Sequence, residues 1–124
     1  MGKLEDLVID ETSFDRDVLG AALLPFLRIG NDGSLRPAEK WNALNRRNRI
    51  LAVCLAVKAA YVLGKRNMEA VTASEVVELS GVPGGTARPT LRGLVDAQLV
   101  SQDAQRRYYV PGMAVPAAVA ALGG

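Results

Sequence analysis

The side chains with the most chemistry to offer in this 124-residue chain are its arginines. A guanidinium is planar, permanently charged and presents a fork of N–H donors that matches the paired oxygens of a phosphate or a carboxylate. Arg88 and Arg92 stand four residues apart, Arg106 and Arg107 are adjacent, and Arg46, Arg47 and Arg49 fall in the run Asn45-Arg46-Arg47-Asn48-Arg49, which is almost entirely donor groups. Thr86 and Thr90 interleave with the first pair and add hydroxyls able to donate to phosphate oxygens. The chemistry open to this set is recognition of an anion.

No other constellation points to catalysis. The chain has no histidine, so the commonest metal ligand and general base is missing, and no metal or other cofactor is expected. Its single cysteine, Cys54, lies in the run Ile50-Leu51-Ala52-Val53-Cys54-Leu55-Ala56-Val57, where it reads as a small buried hydrophobe. Glu75 and Glu78 are the nearest approach to paired acids, and they are expected on an exposed helix face without a base beside them. A protein that is not an enzyme is the expectation.

Composition narrows the class further. Hydrophobic residues make up 49% of the chain and aromatics 5%, which predicts one compact domain with an aliphatic core. The net charge of +2 conceals a segregation: residues 1–27 carry six acidic side chains against two basic, residues 28–66 nine basic against two acidic, and residues 67–124 four basic against five acidic. A basic middle segment is the footprint of a nucleic-acid contact, or of a solvated helix surface. The longest apolar stretch, residues 50–63, contains Lys58 and falls short of the ~20 residues that span a bilayer. The acid-rich opening does not read as a signal peptide. A cytoplasmic protein without membrane contact is expected.

Several elements must position the arginines. Ser13 can cap a helix over residues 14–24, with Asp15 and Asp17 near the positive end of its dipole and Pro25 limiting it. Residues 27–30 and 34–36 flank Asn31-Asp32-Gly33, a turn signal that predicts a small hairpin. From residue 37 to 64 the pattern is helical, as one helix or two, apolar on nearly every side and hence central; its Asn/Arg-rich opening is expected to face solvent or an anion. Thr72-Ala73-Ser74-Glu75 fits a capping box for a short helix with Val76, Val77 and Leu79 facing the core, and Gly81 supplies the left-handed turn that ends it. The next helix runs from Val82 and Pro83 to about Ala97, and its Pro89 is expected to lie where the helix has no acceptor for the missing N–H. Residues 99–102 and 107–110 predict two β-strands around residues 103–106, and an uncharged Ala-rich segment over 113–122 predicts a closing helix with Pro116 in its first turn.

On a helix advancing ~100° per residue, Ala87, Leu91, Leu94 and Val95 gather on one side and Pro89, Arg92, Gly93 and Asp96 point away. The order of helix, capped short helix, glycine turn, helix and hairpin, together with the spacing of Gly81, Val82, Thr86, Ala87, Leu91, Leu94, Leu99 and Val100, resembles the winged helix-turn-helix superfamily of DNA-binding domains. The resemblance implies a mainly α fold with a small β wing (α+β), made of an N-terminal extension over residues 1–36 and a winged-helix domain over 37–124 with a long first helix and a C-terminal helix. It further implies that the second helix of the motif enters the major groove of double-stranded DNA while the wing touches backbone. Arg88 and Arg92 then reach phosphate or a guanine edge, Thr86 and Thr90 donate to phosphates, Arg106 and Arg107 act at the wing tip, and Arg46, Arg47 and Arg49 extend the backbone contact.

At the positions where such a helix usually carries polar readers, this sequence has Gly84, Gly85 and Pro89. Two functions therefore compete: a DNA-binding regulator or sequence-tolerant DNA binder acting as a homodimer, and a non-catalytic protein-interaction module serving as an assembly or adaptor subunit. The homodimer is expected from residues 113–122, whose uncharged surface calls for cover that a second subunit most simply supplies.

Overall fold

The computed structural model describes residues 14–123. It is a mixed α+β chain: α1 (Arg16–Leu23), an antiparallel hairpin of β1 (Leu27–Ile29) and β2 (Leu35–Pro37), a 3-10 turn (Trp41–Ala43), α2 (Arg46–Val62), α3 (Ala73–Ser80), α4 (Gly84–Asp96), a second hairpin of β3 (Ser101–Gln102) and β4 (Tyr108–Tyr109), a 3-10 turn (Gly112–Ala114) and α5 (Val115–Gly123). Among the described residues no helix is long and apolar enough to cross a membrane.

Local chemistry accounts for most of these boundaries. The capping box at α3 forms as expected: the Glu75 N–H donates to the Thr72 hydroxyl at 3.1 Å, and the Thr72 N–H donates to the Glu75 carboxylate at 3.1 Å. Gly81 ends that helix at φ 72°, a left-handed conformation that glycine adopts without steric cost. The first hairpin turns where Asn31-Asp32-Gly33 stands. Gly33 has φ 82°, and a Cβ there would collide with the Lys65 carbonyl oxygen, so the turn can seat against the end of α2 only as glycine. The described helix α1 starts at Arg16 with Asp15 as its cap, accepting from the N–H groups of Asp17 and Val18; Ser13, expected as the cap, lies outside the described residues.

α2 is the centre of the fold. Residues 50–58 are all buried, because α1, the first hairpin, α3, α4, α5 and β4 surround the helix. Burial of Leu or Val side chains contributes about 1.5–3 kcal/mol each, and Ile50, Leu51, Val53, Leu55 and Val57 are all fully buried on this helix. Cys54 is among its buried residues, and burial pushes the thiol up to about 12. Lys58 is buried too: its ammonium donates to Glu69 at 2.9 Å and stands 5.9 Å from the centre of the Phe14 ring. Leu19, Leu23 and Leu27 join the same core cluster, so residues 14–36 are packed on the rest of the chain.

Three expectations change. Asn48, placed with the solvent-facing opening of α2, is 8% exposed, because the helix is enclosed from its first turn on that side. The strands of the second hairpin are two residues long where four were expected, and Tyr108, paired with Gln102 across the hairpin, also bridges to Val71, exchanging two backbone hydrogen bonds of 2.7 and 2.8 Å with this residue just before the cap of α3. Finally, α5 does not need a second subunit to cover its core face: it packs on α1 and α2 and buries Val115, Ala118 and Leu122. What it leaves exposed are Pro116, Ala117, Ala120 and Gly123, with Met113 in the 3-10 turn before it.

Candidate functional site

α4 carries its apolar stripe as the spacing predicts. Ala87, Leu91 and Leu94 are fully buried and Val95 half-buried, while Arg88, Pro89, Arg92, Gly93 and Asp96 are exposed. The helix begins at Gly84, with Pro83 as its N-cap, and this alters the place of Pro89. Thr86 and Ala87 already donate to the Pro83 carbonyl, so Pro89 lies in the second turn and deprives the Gly85 carbonyl of a helical donor. Gly85 is exposed, where water can hydrogen-bond that carbonyl. Thr90, expected to donate to a phosphate, donates its hydroxyl to the Thr86 carbonyl at 2.7 Å and so holds its proton within the helix. Thr86 is half-buried.

The second hairpin sorts Arg106 from Arg107. Gln102 and Tyr108 are cross-strand partners that share a groove with α4, and Arg106, in the turn before β4, enters the same groove. Arg107 and Asp103 fall on the other side, in a depression shared with Tyr61, Met68 and Tyr109. There the Arg107 guanidinium is committed to the hairpin itself: Nε donates to Asp103 at 2.9 Å and Nη2 to Gln105 at 3.1 Å. Arg107 N–H, also 2.9 Å from Asp103, and the guanidinium beside it hold the Asp103 carboxyl below the usual carboxylate range. Arg107 is therefore a structural clamp of the hairpin, not the free wing-tip cation expected of it.

Between α4 and the hairpin lies an open groove of about 420 Å³. Arg88 and Arg92 enter it from α4, Arg106 and Gln102 from the hairpin, and Tyr108 and Ala73 complete it with Val95. No carboxylate lines it, and among the described residues none of its three arginines makes an ion pair. Arg88 folds back over the start of its own helix: a Cβ on Gly84 would meet Arg88 Nη1 at 2.6 Å, so glycine there leaves room for the guanidinium. Arg106 adopts φ 62°, the left-handed region that favours glycine. A long charged side chain is thus held at a turn position whose backbone prefers none, at a cost of roughly 1–2 kcal/mol.

No family model, curated protein or solved structure matches the chain. The chemistry of the groove itself decides what it can bind. Three guanidiniums without an ion-pair partner among the described residues, on a surface open to solvent, attract anions and can each take a phosphate oxygen pair.

The other predicted cations lie elsewhere. Arg46 and Arg47 are exposed in the first turn of α2, where no acidic residue offsets their charge against the positive end of the helix dipole. Arg49 is half-buried, stacks on Trp41 at 5.9 Å and donates to the Asn42 carbonyl at 3.3 Å, so it braces the 3-10 turn. None of the three lines the α4 groove. Gln102 and Tyr108 are groove residues that sequence reading missed; they are set side by side by the pairing of the two-residue strands, which the local sequence does not fix. Among the described residues no group of three His, Cys, Asp or Glu side chains is placed to hold a metal ion.

Proposed function

We propose that the protein is a winged-helix DNA-binding protein that holds the phosphodiester backbone of a duplex in the groove between α4 and the β3–β4 hairpin. The observation that carries this reading is the convergence on one open groove of Arg88, Arg92 and Arg106, none of which has a carboxylate partner among the described residues. The order α2, α3, glycine turn, α4 and hairpin, with Val71 bridging to Tyr108, supports the winged-helix resemblance. In that arrangement α4 is the helix offered to the major groove and the hairpin is the wing.

The three arginines are the primary contacts, with Tyr108 and Gln102 beside them to pack on sugar and donate to phosphate. Arg46 and Arg47 form a separate basic point at the start of α2 that serves a longer stretch of backbone. Arg88→Ala combined with Arg92→Ala tests the assignment directly, since both side chains lie off the buried stripe. Binding to a mixed-sequence duplex is expected to weaken at least ~10-fold, with an unchanged circular dichroism spectrum, as each lost phosphate contact removes a charge-assisted hydrogen bond. Unchanged affinity in the folded double variant refutes the groove as the DNA site. A competing role as a protein-interaction module would show as no duplex binding at low salt.

A further inference from the structure

Beside the arginine groove runs a larger trough of about 560 Å³, between the end of α4, β3 and the start of α5. Val95, Val100, Pro111, Met113, Ala114 and Ala117 make its apolar walls, and its polar lining is uncharged, a serine and two glutamines. Val95 and Gln102 also line the arginine groove, so the two hollows adjoin along these side chains. Gln98 shapes the corner of the trough: it takes φ 63°, a left-handed conformation that turns the chain from α4 toward β3. Met113 is 56% exposed and Ala117 is exposed as well, so among the described residues this side of the trough leaves apolar surface in water.

The adjoining hollows offer three cations at one end and an uncharged apolar bed at the other. A duplex backbone is charged at every nucleotide and brings no apolar chain to the second. We propose that the two hollows together bind a single-chain amphiphile with a phosphate head, an alkyl or acyl phosphate. Its head lies among Arg88, Arg92 and Arg106, and its chain passes Val95 and Gln102 onto Met113, Ala114 and Ala117. A phosphate monoester suits the head site because it brings three acceptor oxygens and a charge near −2 to the guanidinium forks. A hydrocarbon chain suits the trough because apolar walls with few, uncharged polar groups favour an apolar ligand. A short polar phosphate would carry the same head but leave Met113 and Ala117 in water. Head and duplex phosphate claim the same arginines, so the amphiphile releases DNA. That regulatory consequence rests on the DNA reading; the binding itself does not.

Isothermal titration of the full chain with hexyl phosphate and with decyl phosphate, both below micelle formation, reads the contribution of the chain directly. Full burial of a methylene tightens binding roughly fourfold, and an open trough that covers half of it gives about twofold. The longer chain of decyl phosphate therefore predicts about 16-fold tighter binding than hexyl phosphate, saturating at one ligand per protein. Ala117→Glu sets a carboxylate in the trough from an exposed helix position outside the arginine groove. It is expected to abolish the gain with chain length while leaving binding of hexyl phosphate and of duplex unchanged, and Met113→Glu is expected to do the same. Arg88→Ala combined with Arg92→Ala is expected to weaken both phosphates at least ~10-fold. In a duplex titration, decyl phosphate is expected to displace DNA at concentrations at which hexyl phosphate does not. A wild-type chain that binds no duplex defeats the DNA reading alone, and the calorimetric titration still decides the amphiphile. Equal affinity for the two phosphates, uptake that does not saturate, or a gain with chain length that survives both Ala117→Glu and Met113→Glu overturns the proposal.

Discussion

Replacing Arg106 by glycine should strengthen the fold and weaken binding at the same time. The residue sits at φ 62° in the turn of the second hairpin, where a side chain costs roughly 1–2 kcal/mol that glycine does not incur. Glycine returns part of that gain through the greater freedom of its unfolded chain, about 0.5–1 kcal/mol. The net expectation is about 0.5–1 kcal/mol of added stability, or roughly 2–4 °C in Tm for a domain of this size. The turn keeps its Arg106 N–H to Asp103 carbonyl hydrogen bond, since that bond is made by the backbone. DNA affinity should fall together with the salt dependence, whose log–log slope loses about 0.9 for one phosphate contact. Arg106→Ala is the control, losing the same charge while keeping the strained backbone, so its affinity should fall equally without a rise in Tm. Thermal melts and duplex titrations on the three proteins read both quantities. A glycine variant that melts lower than wild type while binding duplex as tightly would refute both the strain and the contact assigned to Arg106.

Leu91→Ala is expected to cost about 2–5 kcal/mol in urea unfolding, because the side chain is fully buried between α4 and the core; a loss below about 0.5 kcal/mol would mean that the helix faces are drawn wrongly. Asp103 titrates below its ordinary value of 3.8 in the folded chain, so its contribution is present above that pH and is lost as pH falls through the folded value. Melting temperature followed downward from pH 6 should therefore drop more steeply for wild type than for Asp103→Asn below about pH 4, and parallel curves would contradict the clamp. Cys54, with its thiol pushed up to about 12 by burial, should resist a thiol reagent in the native chain at pH 7 and react promptly in denaturant. Prompt reaction of the native chain would show that α2 is not the enclosed centre of the fold.

What was legible in the sequence was what a few neighbouring residues decide. Thr72 with Glu75, the glycine at 81 and the Asn31-Asp32-Gly33 turn each satisfy local backbone groups or local dihedral needs, and each feature forms where its residues stand. The α4 stripe was legible because helical geometry alone fixes which residues share a face. The rest depended on partners distant in sequence. Arg106 and Arg107 are adjacent and chemically identical, and it is the left-handed turn at Arg106 and the Asp103 carboxylate beside Arg107 that send one into the groove and hold the other on the hairpin. Thr90 and Arg49 were read as free donors, yet each has a nearby carbonyl to bond, Thr86 and Asn42. The apolar C-terminal segment looked uncovered because composition carries no information on where a helix docks; α1 and α2 bury its core face.

The central claim is that Arg88, Arg92 and Arg106 act together as the phosphate-binding set of one groove. Its most direct test is duplex affinity measured from about 50 to about 200 mM salt for wild type and for the triple alanine variant at those positions. Three phosphate contacts predict a wild-type log–log slope of about −2.7 or steeper, which is roughly a 40-fold loss over that fourfold range. The triple variant should bind far more weakly at the lowest salt, with a slope shallower by about 2.7. A wild-type chain that fails to bind duplex at about 50 mM salt, or a folded triple variant that keeps the wild-type affinity and slope, would contradict the account.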